Sequence, residues 1–78
     1  MYIIIVGCGR VGAQVGTLLS QEGHNVVIID KKPEAFKRLG NNFNGITLIG
    51  NGFELDVLKE AGIERADAFC RLTNGDNT

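Results

Sequence analysis

The stretch Gly7-Cys8-Gly9-Arg10-Val11-Gly12 decides how this chain reads. It is a G-x-G-x-x-G pattern, weak on its own and informative only in the right surroundings. Before it runs Tyr2-Ile3-Ile4-Ile5-Val6, a continuous apolar segment of the kind buried on both faces of a parallel sheet. After it, Val11, Val15, Leu18 and Leu19 recur at helical spacing, which predicts a helix to about Glu22, stopped by Gly23. In such a strand–turn–helix each glycine has its own task. Gly7 permits the tight turn, Gly9 lets a pyrophosphate approach the backbone, and Gly12 lets the helix pack closely on the sheet. The helix N-terminus then offers unpaired N–H groups and a positive dipole end to phosphates. The bland alternative is a strand-to-helix turn that binds nothing. Arg10 is placed either to reach terminal phosphates or to lie exposed on the helix start.

Working outward, Asn25 to Ile29 reads as a second buried strand closed by Asp30. An acid at that point accepts hydrogen bonds from a ribose 2′-OH and repels a 2′-phosphate, which favours NAD or another adenosine nucleotide over NADP. The alternative is a cap for the next helix, which Pro33 opens. Lys31 and Lys32 either neutralise a phosphate or are simply solvated. Phe36, Leu39 and Phe43 give that helix its apolar face, and Gly40-Asn41-Asn42 ends it. Ile46 to Ile49 is a third short strand, followed by Gly50-Asn51-Gly52 on the same sheet edge as the glycine loop. Asn51 there either hydrogen-bonds an adenosine or caps the following helix. Leu55, Leu58 and Ala61 mark that helix, Gly62 stops it, and Ala66 to Leu72 is a fourth strand. The predicted order is β-α-β-α-β-α-β. This is an α/β, Rossmann-like parallel sheet, with residues 1–78 as the N-terminal part of a single dinucleotide-binding domain.

Composition narrows the function. Eight basic and nine acidic residues leave a net charge of −1, which excludes bulk electrostatic binding to DNA or an anionic membrane as the main activity. No apolar run approaches the length of a spanning helix, and no basic segment precedes the first strand as in a signal peptide. Two cysteines, Cys8 and Cys70, are too few for a disulfide framework and point to a reducing compartment. Cys8 lies near a helix N-terminus, which lowers a thiol pKa, although a small residue is all such a position needs. His24 has no partner acid or nucleophile beside it in the sequence, and no catalytic set emerges. A binding role is therefore expected, not an enzymatic one. The alternative is the cofactor half of an NAD-dependent oxidoreductase.

Gly7-Cys8-Gly9-Arg10-Val11-Gly12, Asp30, Gly50-Asn51-Gly52, the run from Leu58 to Asp67, and Thr73-Asn74 together resemble the TrkA/KtrA family. These are the RCK or KTN nucleotide-binding domains that regulate potassium channels and transporters. The resemblance covers essentially the whole chain. Its most specific part is Ala61-Gly62-Ile63-Glu64-Arg65-Ala66-Asp67. The resemblance implies a cytoplasmic regulatory subunit that binds NAD(H) or ATP/ADP and assembles on a membrane potassium channel or transporter subunit. Carried over, Gly7, Gly9, Arg10 and Gly12 meet phosphates, with Cys8 and Val11 inside the same loop. Asp30 meets the ribose, Asn51 the adenosine end, and Thr73 and Asn74 line the cleft, with Lys31 and Gly52 beside them among the binding residues. Two positions depart from the family pattern. Many members have Asp where Asn51 stands, and Arg71 falls where a small or apolar residue is usual. A homo-oligomer, or a second chain completing the sheet, is expected, because a fourth strand with an open edge is a template for pairing.

Overall fold

The computed structural model describes residues 1–72 of the chain. Its elements are β1 (Tyr2–Val6), α1 (Arg10–Gln21), β2 (Asn25–Asp30), a 3-10 turn (Pro33–Arg38), β3 (Ile46–Ile49), α2 (Leu55–Ala61), a short 3-10 turn (Ile63–Arg65) and β4 (Ala68–Arg71). The four strands form one parallel sheet in the order β3-β2-β1-β4. This is the Rossmann-like arrangement expected from the alternating pattern. Because all strands run the same way, the glycine loop, Asp30 and Gly50-Asn51-Gly52 share the edge at the strand C-termini.

The two central strands carry the core. Ile4, Ile5, Ile28 and Ile29 are completely buried. Alternate side chains point to opposite faces. Ile3, Ile5, Val26 and Ile28 meet α1 and the 33–38 turn on one face. Ile4, Val6, Val27 and Ile29 meet α2 on the other.

Three local expectations need correction. The apolar stripe read on α1 meets the sheet only in part: Val15 and Leu19 pack against the core. Val11 and Leu18 are exposed, whereas Gly12, Ala13, Gly16 and Ser20 are buried. The reason is close approach: a Cβ on Gly16 would stand 2.5 Å from Ile28 Cδ1. A large side chain at Gly16 would push the helix off the sheet, so small residues fill the centre of the interface and Val15 and Leu19 flank it. The second helix is a six-residue 3-10 turn with Pro33 in its first position. Ala35 N–H bonds Lys32 O and Leu39 N–H bonds Phe36 O, both at the three-residue spacing of that helix type. Leu39 then turns extended, and Phe36, Leu39 and Phe43 still reach the core. Finally, the fourth strand is shorter than read. Ala66 N–H is held in a turn by Ile63 O, and the ladder to β1 begins at Asp67 N–H.

Candidate functional site

Gly7 leaves β1 with φ +105°, a left-handed conformation. A Cβ there would overlap the carbonyl oxygen of Leu72, so the turn needs glycine for space as well as for backbone. Gly12 is needed for a related reason. Its Cα passes so near the Gly7 carbonyl that a Cβ would collide with it. Gly9 is the N-cap of α1, with φ −84°, and no side chain caps the helix start. The first-turn N–H groups of α1 therefore have no side-chain acceptor at that cap.

Asp30 is half-buried at the end of β2 and joins this loop directly. One carboxylate oxygen accepts the Cys8 backbone N–H at 2.8 Å, and the other accepts Lys32 N–H at 2.9 Å. The second bond is a local turn two residues on. Asp30 is thus not the cap of the 33–38 turn, whose capping position is Lys32 with no side-chain bond. Asn51 uses the same local device. Its Oδ1 accepts Phe53 N–H at 2.9 Å, while the capping position of α2 is Glu54. Gly52 is buried because a Cβ there would run into Val6.

These residues line two clefts that meet at Asp30 and Lys31. A shallow one of about 100 Å³ brings together Gly7, Asp30, Lys31, Asn51, Gly52 and Phe53. A wider one of about 560 Å³ is lined by Cys8, Asp30, Lys31, Lys32, Glu34, Ala35 and Arg38. The wider cleft carries three cations against two carboxylates. Arg10 stands apart from both. It lines a third cleft of about 340 Å³ between α1 and the 33–38 turn, again with Arg38. Val11 is exposed on the helix surface. Thr73 and Asn74 lie outside the described residues.

Of the two readings of Cys8, the structure supports the small packed residue and not the activated thiol. Burial pushes its thiol pKa up, the Asp30 charge pushes it further, and Arg38 offsets only part of this. The thiol lies 3.4 Å from the Ala35 carbonyl oxygen and donates to it. Cys8 is therefore a packed protonated thiol that ties the glycine loop to the 33–38 turn. It and Cys70 are both free. Sequence reasoning missed Phe53 and Arg38. Phe53 sits on the loop between β3 and α2, where no periodicity marks which way a side chain faces, and Arg38 ends a turn that reads in the sequence as a full helix.

A parallel sheet whose glycine-rich turn is tied to an acid on the neighbouring strand defines the Rossmann-like class of α/β proteins. Within that class the chain belongs to the TrkA-N domain family, which matches residues 3–78. It is 50% identical over 78 residues to the Trk system potassium uptake protein TrkA of Streptomyces coelicolor, covering 100% of this chain and 35% of that protein. It is 40% identical over 77 residues to a Trk system potassium uptake protein TrkA homolog of Pyrococcus abyssi, covering 99% of this chain and 34% of that one. The TrkA of Vibrio alginolyticus is 33% identical over 78 residues, with 17% of its length covered. The chain spans about a third of the length of the first two relatives. Among the described residues no helix is long and apolar enough to cross a membrane.

Proposed function

We propose that this chain is the nucleotide-binding part of a regulatory module in a potassium uptake system. The observation that carries the reading is the bond from Cys8 N–H to Asp30. It sets a carboxylate suited to a ribose beside a glycine turn suited to a pyrophosphate. The ligand is an adenosine nucleotide, NAD(H) or ATP/ADP, held by Gly7 to Gly12, Asp30, Lys31, Asn51 and Gly52. Binding shifts the state of a membrane potassium transporter subunit and drives no turnover. A coupling of about 1–3 kcal/mol suffices for such a shift. The relatives' name, potassium uptake protein, supports the choice of partner. Self-association, or a partner that pairs with the sheet, belongs to the same reading. It is supported by Ile46 and Ile49, exposed on the outermost strand β3.

Thermal shift and calorimetry with NAD, NADH, NADP, ATP, ADP and AMP test the binding. Potassium flux through the reconstituted transporter, with and without each nucleotide, tests the coupling. Flux indifferent to every nucleotide sinks the regulatory reading. Oxidation of NADH with a candidate substrate replaces it with an enzymatic one.

A further inference from the structure

Arg71 closes β4 with a charge that neither strand pairing nor the core requires. Its guanidinium stands 4.3 Å from the centre of the Phe53 ring and 5.6 Å from that of Phe69. Phe69 and Arg71 are two apart along β4 and so share one face of the sheet. Phe53 comes from a different segment, the loop after β3. At 68% exposure it is the most exposed large apolar side chain among the described residues.

A single exposed aromatic usually needs no explanation. Phe53 differs because it is held from several sides at the rim of the candidate cleft. Its N–H is fixed by Asn51 Oδ1, the preceding Gly52 is wedged against Val6, and the Arg71 cation covers the ring. We propose that Phe53 is the stacking wall for the adenine base of a nucleotide bound at this edge. Arg71 is the positioning residue that holds the ring ready. This rests on the nucleotide reading above and adds to it the side chain that meets the base.

A ring so exposed with the guanidinium over it keeps its remaining face open to a ligand. A ring already fixed loses little rotamer freedom when a base settles on it. Base–aromatic stacking tolerates any base, so selectivity falls to neighbouring polar groups. The Asn51 Oδ1 is taken by Phe53 N–H, which leaves the amide NH2 as the donor available to a purine ring nitrogen.

The test uses Phe53→Ala, F53W, Arg71→Ala and Arg71→Lys in the purified protein, with ATP and NAD as probes and inorganic pyrophosphate as the ligand without a base. Phe53→Ala is expected to weaken ATP and NAD about tenfold, a typical loss for one stacked base, and to leave pyrophosphate unchanged. F53W introduces the sole indole in these 78 residues, and its emission is expected to be quenched by ATP but not by pyrophosphate. Arg71→Ala is expected to reduce that quenching when combined with F53W, and Arg71→Lys to restore part of it. Normal ATP and NAD affinity in Phe53→Ala, or an unquenched indole in a variant that binds ATP, overturns the stacking role alone. A wild-type protein that binds pyrophosphate but gains nothing from adenosine also overturns it. Wild-type protein that binds none of the three overturns the nucleotide reading and this inference together.

Discussion

The Asp30 carboxylate and the Cys8 backbone N–H are hydrogen-bonded at 2.8 Å across the gap between β2 and the glycine loop. The residue best suited to grip a ribose thus also shapes the loop suited to a pyrophosphate. Asp30→Ala is expected to weaken NAD by about 1–3 kcal/mol, since charge-assisted hydrogen bonds are lost. It is also expected to lower folding stability, because Cys8 N–H loses its acceptor. Titration calorimetry and urea unfolding read the two effects separately. Wild-type affinity for NADP equal to that for NAD would count against the ribose contact.

The glycines of the loop are expected to separate by experiment. Gly9 has ordinary backbone angles, so Gly9→Ala keeps the fold but places a methyl where phosphate oxygens approach. Gly7→Ala combines a positive φ with overlap on Leu72 O, and Gly12→Ala drives a methyl into Gly7 O. Each of these two is expected to cost about 1–3 kcal/mol of stability. Thermal unfolding beside nucleotide titration gives the contrast. A Gly9→Ala protein with normal affinity would remove the loop from the site.

The Cys8 thiol gives a pH signature. Its folded pKa is raised above the ordinary value of 9.0, so above that pH the folded state holds a proton that the unfolded chain releases. The thiol's contribution is therefore flat below the ordinary value and is lost as pH climbs past it. Wild type is expected to lose stability as pH rises above 9.0 faster than Cys8→Ala does. Parallel urea titrations at several pH values measure the difference. In native protein at pH 8, half-buried Cys70 is expected to alkylate before buried Cys8.

The seam between α1 and the sheet is expected to behave as a coupled pair. Gly16→Ala brings a methyl against Ile28 Cδ1, and Ile28→Val removes that atom. The double variant is expected to be more stable than the sum of the single changes allows, by about 0.5–1.5 kcal/mol. A double-mutant cycle from denaturant unfolding measures it, and strict additivity would mean that α1 can shift freely.

The alternation of apolar runs and glycine stops made the parallel sheet legible from the sequence, and with it the shared edge of Gly7, Asp30 and Asn51. What stayed hidden was geometry that no residue type announces. Asp30 and Asn51 are both good helix caps by chemistry, yet each bonds the N–H two residues on. Val11 and Leu18 read as part of the same apolar face as Val15 and Leu19, but only the latter two reach the core, because the closest approach to Ile28 is at Gly16. Arg71 reads only as a departure from the family pattern, a charge in a strand that has to reach the cleft or an oligomer surface. It is exposed, and its partner Phe53 lies on a loop whose course depends on Gly52 fitting against Val6.

The place of β1 has a consequence for how the protein is made. β1 precedes the other three strands of this sheet in the chain, yet it pairs with β4 on one side and β2 on the other. At its start, Tyr2 N–H bonds the Asp67 carboxylate and Asp67 N–H bonds Tyr2 O, a closure 65 residues apart in sequence. A nascent chain that has not yet delivered Asp67 holds its most apolar strand with one edge bare. During translation that edge stays open until β4 arrives, because contacts so distant in sequence form late.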